Sequence, residues 1–166
     1  LGMAPDEIRQ SLDDKQRVLK EFWGVKHRIE FVRDLHGVLY YNDSKATNPD
    51  AAIRGIGSMN RKTLLIGGGY DKNLEFDAWI ESFDGKVKCL LLIGQTKDKI
   101  AVCARKHGFE NIVCCDTLNE AVNICYRLAK PGEAVLLSPA CASWGDFKDY
   151  TQRGELFRQY VMELPE

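Results

Sequence analysis

The sequence is organised around the segment Tyr41-Asn42-Asp43-Ser44-Lys45-Ala46-Thr47-Asn48-Pro49. The apolar and aromatic run that leads into it, residues 38–41, predicts a β-strand. Asn48, Pro49 and Asp50 predict the start of a helix, with an N-cap, a proline in the first helical position and an acid in the first turn. Between strand and helix lie an acid, two hydroxyls and a lysine. Beside the positive end of a helix, this combination suits an anionic ligand.

Apolar runs alternate with amphipathic stretches along the rest of the chain, which predicts a parallel sheet covered by helices on both faces. We predict strands at residues 28–34, 38–42, 63–66, 87–93, 111–115 and 134–137. We predict helices at residues 49–58, 76–83, 99–107 and 117–129, and from residue 147 onward. The first two strands form a β-hairpin around His36-Gly37. The predicted fold class is α/β: a Rossmann-like three-layer sandwich whose mostly parallel sheet carries an N-terminal antiparallel hairpin.

The length of 166 residues fits one domain with one hydrophobic core. Residues 1–24 are rich in charge, with apolar residues at loosely helical spacing. We expect them to form a helical lead-in that packs on this domain or belongs to a preceding one. The domain itself is expected over residues 25–166.

Composition argues against several classes of function. The formal net charge is −1 and no basic stripe occurs, so we expect no nucleic-acid partner. The chain has no apolar run of about 18 residues, so we expect no membrane span, and its first residues do not resemble a signal peptide.

The six cysteines and three histidines show no zinc-binding spacing, so we expect no metal site. None of the cysteines forms a C-x-x-C pair. Cys89, Cys114 and Cys115 lie in apolar strand-like runs, where a free cysteine behaves as a small buried apolar residue. Free thiols of this kind fit a reducing cytoplasm.

Three connections that follow predicted strands are more polar than a turn requires: residues 43–48, 67–72 and 138–143. Ligands of open α/β sheets bind beyond the carboxyl ends of the strands, so we expect these connections to converge. Their side chains would offer two lysines and two hydroxyls to a ligand with more than one carboxylate or phosphate. These residues are Lys45, Thr47, Lys72 and Ser143. The connections at residues 94–95 and 115–116 look like ordinary turns.

Structural roles remain open for the same side chains. Lys45 and Lys72 could be solvated loop lysines. Thr47 could help to cap the helix that follows it. Ser143 with Asp146 three residues later resembles an N-cap pair.

Other candidate residues also have structural alternatives. Trp144 and Tyr150 are residue types that more often pack than bind ligands. Arg28 and Asp43 lie at the two ends of the hairpin and could form a cross-strand ion pair. The glycines at 67–69 could serve only to let the chain leave the sheet; with Lys72 they do not form a P-loop.

Several strings nevertheless match one family closely and in the family's order. They are His27-Arg28, Asn42-Asp43-Ser44-Lys45-Ala46-Thr47-Asn48, Gly68-Gly69-Tyr70-Asp71-Lys72, Leu137-Ser138-Pro139-Ala140-Cys141-Ala142-Ser143 and Phe147-Lys148-Asp149-Tyr150-Thr151-Gln152-Arg153-Gly154. On these strings, the chain from His27 onward resembles the C-terminal domain of the bacterial Mur ligases, in particular those that add D-glutamate.

The resemblance implies an ATP-dependent ligase of peptidoglycan precursor synthesis. In that family, ATP phosphorylates the terminal carboxylate of UDP-N-acetylmuramoyl-L-alanine, and the amine of D-glutamate attacks the acyl phosphate. ADP and phosphate leave, and Mg²⁺ ions hold the phosphates. The family's UDP-binding and ATP-binding domains have no match here, so the resemblance implies a domain that is inactive alone, with Mg²⁺ bound mainly by the absent central domain.

The resemblance also implies an acceptor pocket. By position in the matching strings, Thr47, Lys72 and Ser143 correspond to contacts of D-glutamate. Trp144 and Tyr150 would line the same pocket.

A nucleotide site is implied next to that pocket. Arg28 and Asp43 correspond to residues that reach the ribose and phosphates of ATP. Lys45 corresponds to a lysine near the transferred phosphoryl group, and we predict that it is both cofactor-binding and catalytic. Two alternatives stay open: a stand-alone α/β module that binds an acidic amino acid or nucleotide, and a sister Mur or folylpolyglutamate-type ligase with another acceptor.

Overall fold

The computed structural model describes residues 4–6, 9–10 and 26–166. Within these residues the strands are β1 (Glu30–Leu35), β2 (Val38–Asn42), β3 (Thr63–Gly67), β4 (Val87–Leu92), β5 (Ile112–Cys114) and β6 (Ala134–Leu137). The helices are α1 (Pro49–Gly57), α2 (Asp77–Glu81), α3 (Lys97–Lys106), α4 (Leu118–Leu128) and α5 (Tyr150–Met162). Most of the helical lead-in predicted for residues 1–24 lies outside the described residues.

The six strands form one mixed sheet in the order β1-β2-β6-β3-β4-β5. Strand β1 pairs with β2 in antiparallel orientation, and the other pairs are parallel. The predicted α/β class with an N-terminal antiparallel hairpin is therefore confirmed. Because β6 lies between β2 and β3, the carboxyl ends of these three parallel strands are neighbours at one rim of the sheet.

Apolar residues cover both faces of the sheet, as expected for strands that are buried on two sides. Successive residues of β3 point to opposite faces: Leu65 packs with the residues beneath α1, α2 and α3, whereas Leu64 and Ile66 pack with those beneath α4 and α5. No helix in the described part of the chain is long and apolar enough to cross a bilayer.

Two local predictions are wrong. The last helix begins at Tyr150 rather than near residue 147, because its N-cap is Asp149, whose Oδ1 accepts a hydrogen bond from Gln152 N–H at 2.8 Å. Cys114 is exposed, because it ends the edge strand β5 and points away from the face on which Cys115 is buried.

A buried arginine links the connections that follow β2 and β6. Arg153 lies on α5 and is 0% exposed. Its Nε and Nη2 donate to Ser44 Oγ and O at 2.9 and 2.6 Å, and its Nη1 donates to Cys141 O at 2.9 Å. Burial lowers the pKa of Arg153 to about 10, so the guanidinium stays charged at neutral pH.

Replacement of this guanidinium should destabilise the whole domain. In Arg153→Met, the carbonyl oxygens of Ser44 and Cys141 lose their donor while they remain buried, so we expect the free energy of unfolding to fall by about 2–5 kcal/mol. Urea unfolding measures this change. The matched control is Arg127→Met at an exposed position of α4, where we expect a change within about 0.5 kcal/mol. Equal effects of the two substitutions would contradict the linking role of Arg153.

Candidate functional site

The three polar connections predicted from the sequence leave the sheet side by side. Asp43 N–H donates to Leu137 O at 2.7 Å, which joins the connection after β2 to the end of β6. Tyr70 N–H donates to Ala142 O at 2.9 Å, which joins the connections after β3 and β6. The three connections therefore lie at one rim of the sheet, as expected.

The glycines of the connection after β3 are explained by packing. Gly68 has a φ of +98°, which disfavours any other residue. An added Cβ would clash with the Ile93 carbonyl oxygen at Gly68, and with the Ala142 carbonyl oxygen at Gly69. A purely structural role therefore accounts for these glycines: they let the chain leave the sheet and pass between the ends of β4 and β6.

Lys72 and Trp144 meet at this rim. The Lys72 Nζ lies 4.2 Å from the centroid of the Trp144 ring, within cation–π distance. Trp144 is 53% exposed. The Tyr70 ring also packs against the Trp144 ring, with 5.5 Å between the two ring centroids. Within the described part of the chain, the exposed Lys72 ammonium makes no hydrogen bond or ion pair. It is therefore available to an anionic ligand.

The hydroxyls of Thr47 and Ser143 do not cap a helix, although helix capping was the alternative to ligand binding for both residues. Asn48 caps α1, because its Oδ1 accepts a hydrogen bond from Ala51 N–H at 2.9 Å. The N-cap of α5 is Asp149. Neither the Thr47 nor the Ser143 hydroxyl bonds to another described residue, so both remain available to a ligand.

Tyr150 lies beside the connection after β2 rather than beside Lys72. Its carbonyl oxygen accepts a hydrogen bond from Ser44 Oγ at 2.7 Å, and its ring packs edge-on against the buried His27 at a centroid distance of 6.2 Å. The predicted residues thus form two groups that Arg153 joins. One contains Lys72, Ser143 and Trp144; the other contains Lys45, Thr47 and Tyr150.

Asp43 is a buried link between segments. Its Oδ1 accepts a hydrogen bond from Ile29 N–H at 3.2 Å, and its Oδ2 accepts one from Ser138 Oγ at 2.7 Å. Burial raises the pKa of Asp43 to about 6, although both hydrogen bonds and the charge of Arg28 oppose the rise. Arg28 is exposed and, among the described residues, forms no ion pair with Asp43, so the cross-strand alternative is wrong.

Lys45 stands at the start of the same connection. It is half-buried, and its backbone N–H donates to His27 O at 3.0 Å. Its ammonium has no hydrogen-bond or ion-pair partner among residues 26–166. With the exposed Arg28, it gives this side of the rim two cations that suit phosphate oxygens.

The sequence reasoning missed the support beneath these side chains. Asn42 Oδ1 accepts a hydrogen bond from Ser44 N–H at 3.1 Å, so its Nδ2 donates to His27 Nδ1 at 2.8 Å. A Cβ on Gly154 would clash with the His27 ring. His27, Asn42, Arg153 and Gly154 all lie in the family strings, which was the one available signal for them.

A cleft of about 430 Å³ opens beside the Lys72–Trp144 pair. It is lined by the ends of β3, β4 and β5 and by the loop after Ser143, with side chains that include Tyr70, Gln95, Lys97, Asp116 and Trp144. Residues 94–95 and 116 therefore contribute to a cavity, which their sequence did not indicate.

Within the described part of the chain, the rim has no cluster of three metal-ligating side chains. Among the described residues, the one group of three or more clustered metal-ligating side chains is Asp77, Cys103 and His107, which belongs to none of the three connections.

The titration of Asp43 should appear in the pH dependence of stability. Its pKa in the folded protein, about 6, lies above the ordinary value of about 4, so the folded state binds this proton more tightly than the unfolded chain. Stability contributed by this group therefore falls as the pH rises from about 4 to about 6.

In Asp43→Asn this titration is removed. We expect the unfolding free energy of the variant, minus that of the wild type, to rise by about 1–3 kcal/mol across that range and then to level off. Urea unfolding of both proteins at a series of pH values measures the difference. A difference that stays constant with pH would refute the raised pKa.

Comparison with known proteins identifies the family. The family described as "Mur ligase, glutamate ligase domain" matches residues 27–141. The UDP-N-acetylmuramoylalanine–D-glutamate ligase of Lachnoclostridium phytofermentans is 55% identical over 157 residues, which cover 95% of this chain and 35% of that protein. The chain thus spans about one third of the length of this curated relative.

Solved structures share the fold at low sequence identity. The UDP-N-acetylmuramate-alanine ligase MurC of Thermotoga maritima has a TM-score of 0.58 and 14% identity, covering 88% of this chain and 32% of that one. FolC of E. coli, solved in complex with ADP, has a TM-score of 0.58 and 15% identity, covering 81% of this chain and 31% of that one. Because the Mur ligase family matches residues 27–141, most of this chain, the chain belongs to that family as a glutamate ligase domain.

Proposed function

We propose that this chain is the acceptor-binding domain of an ATP-dependent ligase that adds D-glutamate to UDP-N-acetylmuramoyl-L-alanine. The observation that carries the proposal is the rim where three connections meet. There the Lys72 ammonium, 4.2 Å from the Trp144 ring, lacks an anionic partner within the described residues. The name and 55% identity of the curated relative support D-glutamate as the acceptor.

The free polar groups at the rim match the chemistry of D-glutamate. The ligand carries two carboxylates, and a charge-assisted hydrogen bond from Lys72 to one of them contributes about 1.5–3 kcal/mol. The hydroxyls of Thr47 and Ser143 can donate to carboxylate oxygens. The Trp144 ring can cover the methylene groups between the two carboxylates, and the Tyr150 ring would line the side of the pocket that contains Thr47.

Positioning is the main contribution that we propose for this domain. The neutral amine of the bound D-glutamate attacks the carbonyl carbon of the acyl phosphate, an amide bond forms, and phosphate leaves. Holding the amine in line with that carbon removes an entropic barrier of up to about 7–11 kcal/mol. A rim that is fixed by Arg153 and Asp43 is suited to this task, because its geometry does not need to form at the moment of reaction.

The cations near β2 suit the nucleotide side of the reaction. ATP supplies the phosphoryl group and leaves as ADP. We propose that Arg28 contacts the nucleotide and that Lys45 approaches the transferred phosphoryl group, where it offsets negative charge. Asp43 already accepts two hydrogen bonds, so a ribose hydroxyl would donate to one of its remaining lone pairs.

The remaining parts of the reaction belong to segments outside this chain. Its curated relative has about two thirds of its length outside the matched region, and we propose that this part binds the UDP-sugar substrate and Mg²⁺. Residues 25–166 would form the domain, with residues 1–24 leading in from the preceding one. All six cysteines are free, which suits a cytoplasmic enzyme.

Loss of the Lys72 charge in the full-length ligase should weaken use of D-glutamate. In Lys72→Met we expect kcat/KM for D-glutamate to fall by about 10- to 150-fold, the equivalent of one charge-assisted hydrogen bond. Steady-state kinetics with D-glutamate as the varied substrate measure the change.

The control for this variant is Lys62→Met. Lys62 directly precedes β3, whereas Lys72 lies in the connection that follows β3. Lys62 is exposed, so we expect kcat/KM to change by no more than about twofold. An unchanged kcat/KM in a folded Lys72→Met variant would favour a binding module without chemistry at this site. Activity with L-lysine or diaminopimelate but not with D-glutamate would show that the domain serves a ligase with another acceptor.

A further inference from the structure

A second group of reactive side chains lies between α2 and α3, outside the proposed acceptor pocket. Asp77 is the first residue of α2, Cys103 lies on α3, and His107 directly follows α3 as its C-cap. One ligand atom from each of the three lies within 4.8 Å of the others. His107 Nε2 and Asp77 Oδ1 are already in hydrogen-bond contact, at 2.8 Å.

Helix periodicity produces this cluster. Cys103 and His107 are four residues apart, so they lie on one face of α3, one turn from each other. Asp77 and Glu81 have the same spacing on α2. The two helices pack against each other, and Glu81 Oε1 lies 3.7 Å from His107 Nδ1. Each ring nitrogen of His107 therefore faces a carboxylate: Nε2 faces Asp77, and Nδ1 faces Glu81.

We propose that Asp77, Cys103 and His107 bind a divalent transition-metal cation of the Zn²⁺ type, with Glu81 as the partner of the second imidazole nitrogen. A thiolate, an imidazole nitrogen and a carboxylate oxygen are the three ligand types that Zn²⁺ prefers. The thiolate and the Asp77 carboxylate together balance the charge of the ion. A histidine that ligates a metal usually donates its other N–H to a carboxylate, which is the position that Glu81 occupies.

The side chains can close around an ion with small movements. Ligand atoms bound to one tetrahedral Zn²⁺ lie roughly 3–4 Å apart, slightly closer than the 4.8 Å limit that the three atoms satisfy here. His107 is exposed, and Asp77 and Cys103 are half-buried, so their rotamers are not locked by the core. Three protein ligands leave a fourth position for water.

The metal-free alternative is an ion-pair cluster at the end of a helix. Lys106 Nζ lies 3.8 Å from the same Asp77 oxygen that contacts His107, so these three residues account for one another without a metal. The Cys103 thiol interacts with the same Asp77 carboxylate, so the thiol, imidazole and carboxylate already meet at one point. Lys106 is long and 75% exposed, so it can withdraw when a cation binds.

A metal at this position would join α2, a helix of five residues, to the longer α3. Since α2 follows the connection that carries Lys72, the ion would also restrain the distal end of that connection. The proposed ion would therefore act on the packing of α2 against α3, with water in its fourth position. Sequence spacing does not indicate this site, because Cys103 and His107 lie one helical turn apart and form no paired-cysteine motif.

Cobalt is the probe for this site, because Co²⁺ occupies zinc sites and reports its ligands by absorption. The 166-residue chain is titrated with CoCl₂ and then with ZnCl₂ as competitor. We expect one equivalent of Co²⁺ to produce a thiolate-to-cobalt charge-transfer band, which Zn²⁺ then removes. Cys103→Ser should abolish the band, and Glu81→Gln should weaken Co²⁺ binding by about 10- to 100-fold.

Two matched controls and one exposed variant make the result decisive. Cys114→Ser and His36→Gln replace an exposed cysteine and an exposed histidine elsewhere and should leave the titration unchanged. His107→Gln alters an exposed position, so it tests the site if Cys103→Ser fails to fold. Absence of the band in the wild type, its persistence in a folded Cys103→Ser variant (or in His107→Gln if Cys103→Ser does not fold), or its loss in Cys114→Ser would each overturn the proposal.

Discussion

The buried guanidinium of Arg153 is the interaction on which the functional rim depends. Removal of a cation from water costs several kcal/mol, so it persists only where hydrogen bonds offset the loss. Here the compensating acceptors belong to Ser44 and Cys141, which follow two different strands. The guanidinium thus couples the position of α5 to both connections.

Asp43 contributes a second link of the same kind. It is 3% exposed, and it ties the segment before β1 and the end of β6 to its own connection. The two opposite charges do not form a direct ion pair, although the Asp43 carboxylate partly offsets the effect of burial on the pKa of Arg153. Two internally bonded charges therefore hold the rim, while the polar groups of Lys45, Thr47, Lys72 and Ser143 have no hydrogen-bond or ion-pair partner among the residues that the structure describes. A ligand would meet a pocket that is already ordered, which reduces the entropy lost on binding.

The sequence predicted the elements well where local chemistry decides them. Asn48 and Pro49 define the start of α1 by themselves, and the continuous apolar runs of β3 and β6 show that both faces are covered. The start of α5 was missed because the sequence analysis considered Ser143 with Asp146 as the capping pair, whereas the structure uses Asp149. Cys114 was wrongly predicted to be buried, because neighbouring residues of a strand point to opposite faces of the sheet.

Other features depend on partners that are distant in the chain. The insertion of β6 between β2 and β3 places the three connections together, and spacing alone does not reveal it. Arginine is usually exposed, so the sequence does not predict that Arg153 is buried. Its burial depends on acceptors more than ten residues away in the chain. The Lys72–Trp144 contact has the same origin. Family strings pointed to these positions, whereas the physical reason emerged only from the fold.

The central claim is that Thr47, Lys72 and Ser143 open onto one pocket for an acidic amino acid. A crystal structure of this chain soaked with D-glutamate tests it most directly. We expect one carboxylate at about 3 Å from both Lys72 Nζ and the Ser143 hydroxyl, with the ligand extending toward Thr47. D-glutamate bound instead in the cleft between Tyr70 and Asp116, without a contact to Lys72, would contradict the account.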